Sequence, residues 1–166
     1  MTIDNASPLA DLLAGAAGGI AATAAVTIFM QLSRPLAGID PAAPDDIGEP
    51  RIGSPDAATR AIEEGLGKPL PEDSKAAATG AFQFAFGMLL GAGYGLAARY
   101  VPLASAGRGA LFGVGVFVVA DEVLVPATGL SGKPADSPAH AHGGALAVHL
   151  LFGLVADGVR RALLRR

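Results

Sequence analysis

The sequence has no cysteine and no tryptophan, and only 16% of its 166 residues are Asp, Glu, Lys or Arg. The absence of cysteine excludes disulfides and thiolate metal sites. The absence of tryptophan leaves Tyr94 and Tyr100 as the candidates for an aromatic belt at a membrane surface. Soluble domains carry about 25% charged residues. The low charge, with a mean hydropathy of +0.46, therefore favours a membrane protein.

Long uncharged segments point the same way. No Asp, Glu, Lys, Arg or His lies between Leu12 and Met30, or between Ala76 and Ala98. Apolar stretches of about 18 or more residues are typical of membrane-spanning helices. The alternative is a soluble, alanine-rich helical bundle, but its helices need a polar face, and "LLAGAAGGIAATAAVTIFM" has none.

The hydropathy pattern predicts an all-α, polytopic membrane protein, a four-transmembrane-helix bundle that forms a single domain over residues 1–166. Pro35 is predicted to break the first helix, and Pro126 the third. The third span is the shortest and carries two adjacent acids. The predicted spans cover about residues 9–30, 75–99, 108–125 and 140–164.

One long connection, residues 35–74, is rich in proline and acids. Within it, Ser54 as a cap and Pro55 at the first helical position predict a short helix over about residues 55–65. Its apolar stripe suggests a helix on the bundle or on the membrane surface. A solvated loop helix without a special role is the open alternative.

Charge placement predicts the orientation. Signal peptides begin with a basic region, whereas "MTIDNASPLAD" contains two acids and no base, so we expect a retained first span. Lys and Arg accumulate on cytoplasmic segments, and "RRALLRR" ends the chain. We therefore expect a bacterial inner (cytoplasmic) membrane protein with both termini cytoplasmic and residues 35–74 periplasmic.

Glycines four residues apart recur in three predicted spans. Small residues at this spacing let helix backbones approach closely in lipid. The pattern predicts helix-packing surfaces, within one chain or between chains. The pairs are Gly15 with Gly19, Gly87 with Gly91 and Gly95, and Gly109 with Gly113.

Polar residues of the predicted spans concentrate towards the periplasmic side. Carboxylates inside a membrane are expected to turn inward and find partners. Asp157, near the cytoplasmic side, is instead expected to pair with Arg160 and Arg161 along its own helix. The predicted periplasmic cluster contains Gln83, Asp121, Glu122, His140, His142 and His149.

Four interpretations of this cluster stay open. A zinc or iron site would use His142, His149, Glu122 and Asp121 as ligands, although two histidines seven residues apart are far from one ion. Haem between two histidines needs ligands on facing helices. A histidine–carboxylate pair would titrate near neutral pH and sense or relay protons. A hydrogen-bonded network that only fixes helix packing is the simplest interpretation.

No motif supports catalysis. The sequence has no nucleophile elbow, P-loop or dinucleotide fingerprint, so no catalytic residue is predicted and an enzyme is not expected. The basic footprint required for nucleic-acid binding is also missing. We expect the lipid bilayer as the main partner, with a homo-oligomer or an accessory subunit of a larger membrane complex as the form in which the chain works.

The last third of the chain resembles the YagU-like family of small bacterial inner-membrane proteins. The resemblance lies in "ADEVLVPATGLSGKPADSP" followed by "HGGALAVHLLFGLVADGVRRALL". It implies a small four-helix inner-membrane protein with no assigned enzymatic activity and an association with acid stress. It also selects Glu122 and His149 as residues to test. The first loop is shorter and more acidic than in the larger members of that family.

Overall fold

The computed structural model describes residues 7–36, 55–124 and 139–164, and in these segments the chain is almost entirely helical, with no strand. The predicted all-α class is thereby confirmed. A one-turn 3₁₀ helix precedes α4, and a π-helical segment continues it. The elements are α1 Pro8–Leu36, α2 Pro55–Leu66, α3 Glu72–Tyr100, the 3₁₀ helix Pro102–Ser105, α4 Ala110–Phe117, the π segment Val118–Leu124 and α5 Ala139–Leu164.

Local signals explain where α1 begins. The Ser7 hydroxyl accepts a hydrogen bond from the Ala10 N–H at 3.1 Å, and Pro8 occupies the first helical position, where its missing N–H costs nothing. The helix runs to Leu36, past the predicted break at Pro35. A proline in the last turn removes one helical N–H, so the helix ends just after it rather than at it.

The first helix lies between two others. α1 packs against α3 on one side and against α5 on the other, and α4 packs against α5. Gly19 meets Gly87 while Gly15 meets Gly91, so α1 and α3 are antiparallel. Gly18 meets Ala156. We call the end where α1 begins and α3 and α5 end the terminal end, and the other the opposite end.

Glycine makes these contacts possible. A Cβ on Gly91 would lie 2.6 Å from both the Cα and the nitrogen of Gly19, and a Cβ on Gly18 would lie 2.6 Å from the Ala156 carbonyl oxygen. Those distances are too short for any side chain, so the backbones touch directly. The predicted glycine packing surfaces are confirmed, and these contacts form within one chain.

The fourth helix follows the same rule. A Cβ on Gly113 would lie 2.9 Å from the His149 carbonyl carbon. Near the terminal end, Gly109 meets Gly153. Because residue numbers rise on α4 as they fall on α5, the two helices are antiparallel, and α4 carries the chain away from the terminal end.

The surface of the bundle is apolar and its interior holds small and charged residues. The fully buried side chains of the described residues with the largest volumes are Tyr94, Asp11 and Asp157, whereas Leu89 is 66% exposed. Within the described residues, three helices are long and apolar enough to cross a membrane, and Ala110–Ala120 is a shorter apolar helix. The three membrane-length segments are Pro8–Ser33, Glu72–Tyr100 and His142–Leu164.

The short helix α2 packs on the first turns of α3. The hydroxyls of Thr59 and Thr79 are 2.8 Å apart, and Glu63 accepts the Leu70 N–H at 2.9 Å. α2 begins at Pro55 and ends at Leu66, while its predicted cap, Ser54, lies outside the described residues. The observed contacts place α2 against the bundle at its opposite end.

Candidate functional site

A buried carboxylate joins three helices at the terminal end. Asp11, in the first turn of α1, has 0% of its surface exposed. Its Oδ1 accepts a hydrogen bond from Arg160 Nη2 at 2.6 Å, and its Oδ2 accepts one from Arg99 Nη1 at 2.8 Å. Arg99 lies on α3 and Arg160 on α5, so one side chain of α1 bridges both neighbouring helices.

A second buried carboxylate lies beside the first. Asp157 accepts the hydroxyl of Tyr94 at 2.6 Å on Oδ1 and Arg161 Nε at 2.5 Å on Oδ2. Arg160 Nη1 lies 4.0 Å from the same Oδ1, which connects the two carboxylates. We call the resulting group the ionic cluster; it contains Asp11, Tyr94, Arg99, Asp157, Arg160 and Arg161.

The composition of the ionic cluster explains how charge is tolerated there. A buried ion pair is costly unless its oxygens and N–H groups are hydrogen-bonded, and both carboxylates here have two short partners. Gly109, the capping residue that precedes α4, also contacts Asp157. A helix N-terminus favours a nearby negative charge. Within the described part of the chain, Arg160 Nε is buried without a hydrogen-bond partner.

Only part of the ionic cluster was expected from the sequence. Asp157 pairs along α5 with Arg161 and, at 4.0 Å, with Arg160, as expected, whereas the shorter ion pair of Arg160 with Asp11 was not expected. Asp11 served only as evidence against a signal peptide. Asp11 is an acid inside an apolar run, a pattern that indicates a buried carboxylate, but its partners lie on distant segments of the chain.

His149 occupies the contact between α4 and α5. Its Nδ1 donates to the Ala145 carbonyl at 2.8 Å, one turn earlier on α5. The ring is tilted against Phe117, with centroids 5.9 Å apart, and the backbone of His149 touches Gly113. The half-buried histidine therefore lies at a point where the backbones of α4 and α5 are in direct contact.

The register of the bundle relates His149 to Gln83. Gly87 and Ala156 face adjacent glycines of α1. At 1.5 Å per residue, Gln83 lies about 6 Å from Gly87 and His149 about 10 Å from Ala156, both towards the opposite end of the bundle. Both residues are half-buried and lie within about one helical turn of the same level. His142 lies about 10 Å beyond His149, nearer the opposite end of the bundle.

The remaining members of the predicted cluster are described only by their backbone. Asp121 and Glu122 lie in the π segment, and π-helical turns often occur at functional sites. His140 lies in the first turn of α5. The side chains of these three residues lie outside the described set, so the predicted polar cluster and metal ligands stay predictions. Among the side chains that are described, no group of three His, Asp or Glu could hold a metal ion.

Two chemical properties follow from this arrangement. The ionic cluster fixes three helices at one end, and His149 offers a titratable group inside a helix contact. Of the segment that resembles the YagU-like family, the structure describes Phe152, Gly153 and the Asp157–Arg161 pair on α5, while Pro126, Gly129 and Leu130 lie outside the described residues. Comparison of the chain with protein-family models, curated proteins and solved structures gave no match.

Proposed function

We propose that the chain is a small, non-enzymatic integral protein of the bacterial cytoplasmic membrane that responds to external pH through His149. Membrane insertion is supported by the distribution of polarity. Charged side chains are buried between helices while residues such as Leu13 and Leu89 are exposed, and this arrangement suits hydrocarbon surroundings, in which charged side chains turn inward.

The direction of the helices supports four crossings. α1 begins, and α3 and α5 end, at the terminal end, where Asp11 contacts Arg99 and Arg160. If these three helices cross the membrane, the chain between Tyr100 and Ala139 must return to the opposite side. α4 and the π segment run in that direction, so they supply the fourth crossing. The basic C-terminus then places both termini in the cytoplasm.

The topology can be tested directly because the chain has no cysteine. We expect the Glu64→Cys variant to react with an impermeant maleimide in intact spheroplasts. Arg166→Cys should react only after permeabilisation. Labelling of Arg166→Cys from outside would show that residues 101–138 do not cross. Extraction of the protein by carbonate without detergent would contradict membrane insertion altogether.

The observation that carries the pH response is the position of His149 in the contact between α4 and α5. Charging its ring changes the electrostatics of that contact. The acids of the neighbouring element are Asp121 and Glu122, whose backbone lies in the π segment that continues α4, and the proposed pH response requires one of them to lie near the ring. At this level α1 and α3 contribute no charged side chain, since none lies in residues 12–30 or 76–98. A histidine near carboxylates is a common pH switch.

The pH response predicts a difference between variants. The thermal stability of the purified protein in detergent should depend on pH between pH 5 and 8, and His149→Gln should lose that dependence. Glutamine retains an N–H that can reach the Ala145 carbonyl, so it separates titration from hydrogen bonding. Glu122→Gln should also change the curve. Superimposable curves for parent and variants would reduce His149 to a packing residue.

Metal or haem binding by His142, His149 and Glu122 is the rival that the same sample tests. Elemental analysis that finds stoichiometric zinc or iron, or a Soret band in the visible spectrum, would replace the pH response with a redox or transport role. We further propose membership of the YagU-like family on the residues already quoted. A second copy or a larger membrane complex would then receive the pH signal.

A further inference from the structure

The terminal end of the bundle exposes apolar residues next to arginines. Tyr100 and Leu103 are each 65% exposed, and Val101 between them is 52% exposed. They lie at the end of α3 and in the short 3₁₀ helix. Water would not favour such a surface. An apolar rim with basic neighbours is typical of segments that lie at a membrane interface.

Two arginines at this end present unused hydrogen-bonding groups. Arg161 donates its Nε hydrogen to Asp157, and its side chain is 42% exposed. Arg108 is exposed and lies in the connection that leads into α4. A guanidinium group binds phosphate oxygens through two parallel N–H groups.

Asp157 relates the positions of these two arginines. Gly109, the neighbour of Arg108, packs so closely that a Cβ there would lie 2.9 Å from Asp157 Cβ. Arg161 is bonded to the carboxylate of the same aspartate. Arg108 therefore precedes a residue that packs on Asp157, and Arg161 binds the carboxylate of Asp157, which also accepts a hydrogen bond from the Tyr94 hydroxyl.

The backbone at Arg108 is unfavourable for an arginine. Its φ is +57°, between Gly107 at +60° and Gly109 at +85°. A residue with a Cβ pays a conformational cost there that glycine does not. No described contact of the Arg108 side chain offsets this conformational cost. That is expected of a side chain that binds a group outside the chain.

We propose that Arg108 and Arg161 together bind the phosphate of an anionic phospholipid in the leaflet that borders the terminal end. Tyr100, Val101 and Leu103 lie among the first carbons of the acyl chains. The charges favour this occupant: the ionic cluster has three arginines against two aspartates, and Arg108 adds another positive charge. The inference rests on the membrane insertion proposed above.

Lipid retention measured by native mass spectrometry tests the site. The parent protein, released from detergent with equimolar phosphatidylglycerol and phosphatidylethanolamine, should retain phosphatidylglycerol preferentially. An arginine near an anionic lipid contributes about a fivefold preference. Arg108→Gly should lower the ratio by about that factor, although it removes the unfavourable backbone and should leave thermal stability in lipid-free detergent equal or higher. If Arg108 had only a structural role, Arg108→Gly would change lipid retention and thermal stability together.

Matched variants complete the design. Arg161→Lys keeps the charge, and its ratio should fall between the parent and Arg108→Gly because lysine lacks the two-pronged geometry. Arg60→Gln, an exposed arginine of α2 at the opposite end, should match the parent. Inorganic phosphate at equal ionic strength should not displace the lipid. Displacement by phosphate, or an unchanged ratio in Arg108→Gly, would overturn the lipid site.

The result is separable from the proposed function. A protein that inserts into membranes with the expected topology but retains both lipids equally would lose only the lipid site. A protein that leaves the membrane without detergent would lose both proposals.

Discussion

Asp11 and Arg160, 149 positions apart in the chain, form a buried ion pair of 2.6 Å that joins the first long helix to the last. Both side chains are almost fully buried, with 0% and 4% of their surfaces exposed. In a low-dielectric interior, such a pair does not gain much over an apolar contact, but losing one partner is costly. The pair therefore selects one arrangement of α1 and α5 among the many that apolar helices allow.

Removing the charge of Asp11 should destabilise the bundle strongly. Asp11→Asn removes the short ion pair of Arg160, leaves it only Asp157 at 4.0 Å, and weakens the contact with Arg99, so we expect a loss of about 3 kcal/mol in the free energy of unfolding. Unfolding of the detergent-solubilised protein measures it. Glu64→Gln, at an exposed acid of α2, is the control and should change stability by less than about 0.5 kcal/mol.

A double variant shows whether the loss comes from the pair. Because Asp11 and Arg160 are in contact, the free-energy changes of Asp11→Asn and Arg160→Gln should not add. The double variant should be more stable than the sum of the two single losses implies. Simple additivity would mean that the two side chains act independently.

The hydroxyl of Tyr94 should stabilise the second carboxylate. Tyr94→Phe removes the 2.6 Å hydrogen bond to Asp157 but keeps the ring, which packs against Phe112 at 4.7 Å between centroids. A hydrogen bond to a buried charge contributes about 1.5–3 kcal/mol, and we expect a loss in that range. Tyr100→Phe, at an exposed tyrosine whose ring stays beside Arg99 at 5.8 Å, should change the unfolding free energy by less than about 0.5 kcal/mol. Equal unfolding curves for Tyr94→Phe and Tyr100→Phe would show that the hydrogen bond from Tyr94 to Asp157 does not stabilise the protein.

Much of this fold could be predicted from local patterns. Uncharged runs predict long helices, and glycines four apart predict the faces on which they meet; both are properties of one helix at a time. The i, i+4 spacing of Asp157 and Arg161 is of the same kind. These patterns need no knowledge of the neighbouring helices, and the structure agrees with them.

The ionic cluster could not be predicted in this way. Asp11, Arg99 and Arg160 belong to three helices, and their meeting depends on α1 lying between α3 and α5. Hydropathy carries no information on that order. Arg99 also resembles an ordinary basic residue at a helix end, the position that the orientation rule assigns to it. A side chain that ends a span and a side chain that bridges two helices have the same sequence environment.

Two glycines of α3 test the contact between α1 and α3. A Cβ on Gly91 would lie 2.6 Å from Gly19 Cα, whereas a Cβ on Gly93 would have nothing within 4 Å. We expect Gly91→Ala to lower stability by about 1–3 kcal/mol, because the helices must separate. Gly93→Ala should be neutral or stabilising by up to about 1 kcal/mol, since alanine is the better helix former. Equal losses in both variants would point to backbone flexibility rather than close packing.

The contact between α4 and α5 allows a similar comparison with a second readout. A Cβ on Gly113 would meet the carbonyl carbon of His149 at 2.9 Å, whereas one on Gly115 would have nothing within 4 Å. Gly113→Ala should therefore push α4 away from His149 and lower stability by about 1–3 kcal/mol. Gly115→Ala should not.

If His149 carries the pH response, the environment of its ring must depend on this contact. Gly113→Ala should then change the shape of the curve of thermal stability against pH between pH 5 and 8. Gly91→Ala lies at the other interface of the bundle and should lower that curve without changing its shape. A parallel downward shift in both variants would show that the packing of α4 on α5 is not coupled to the titration, and His149 would lose its proposed role while the bundle kept its architecture.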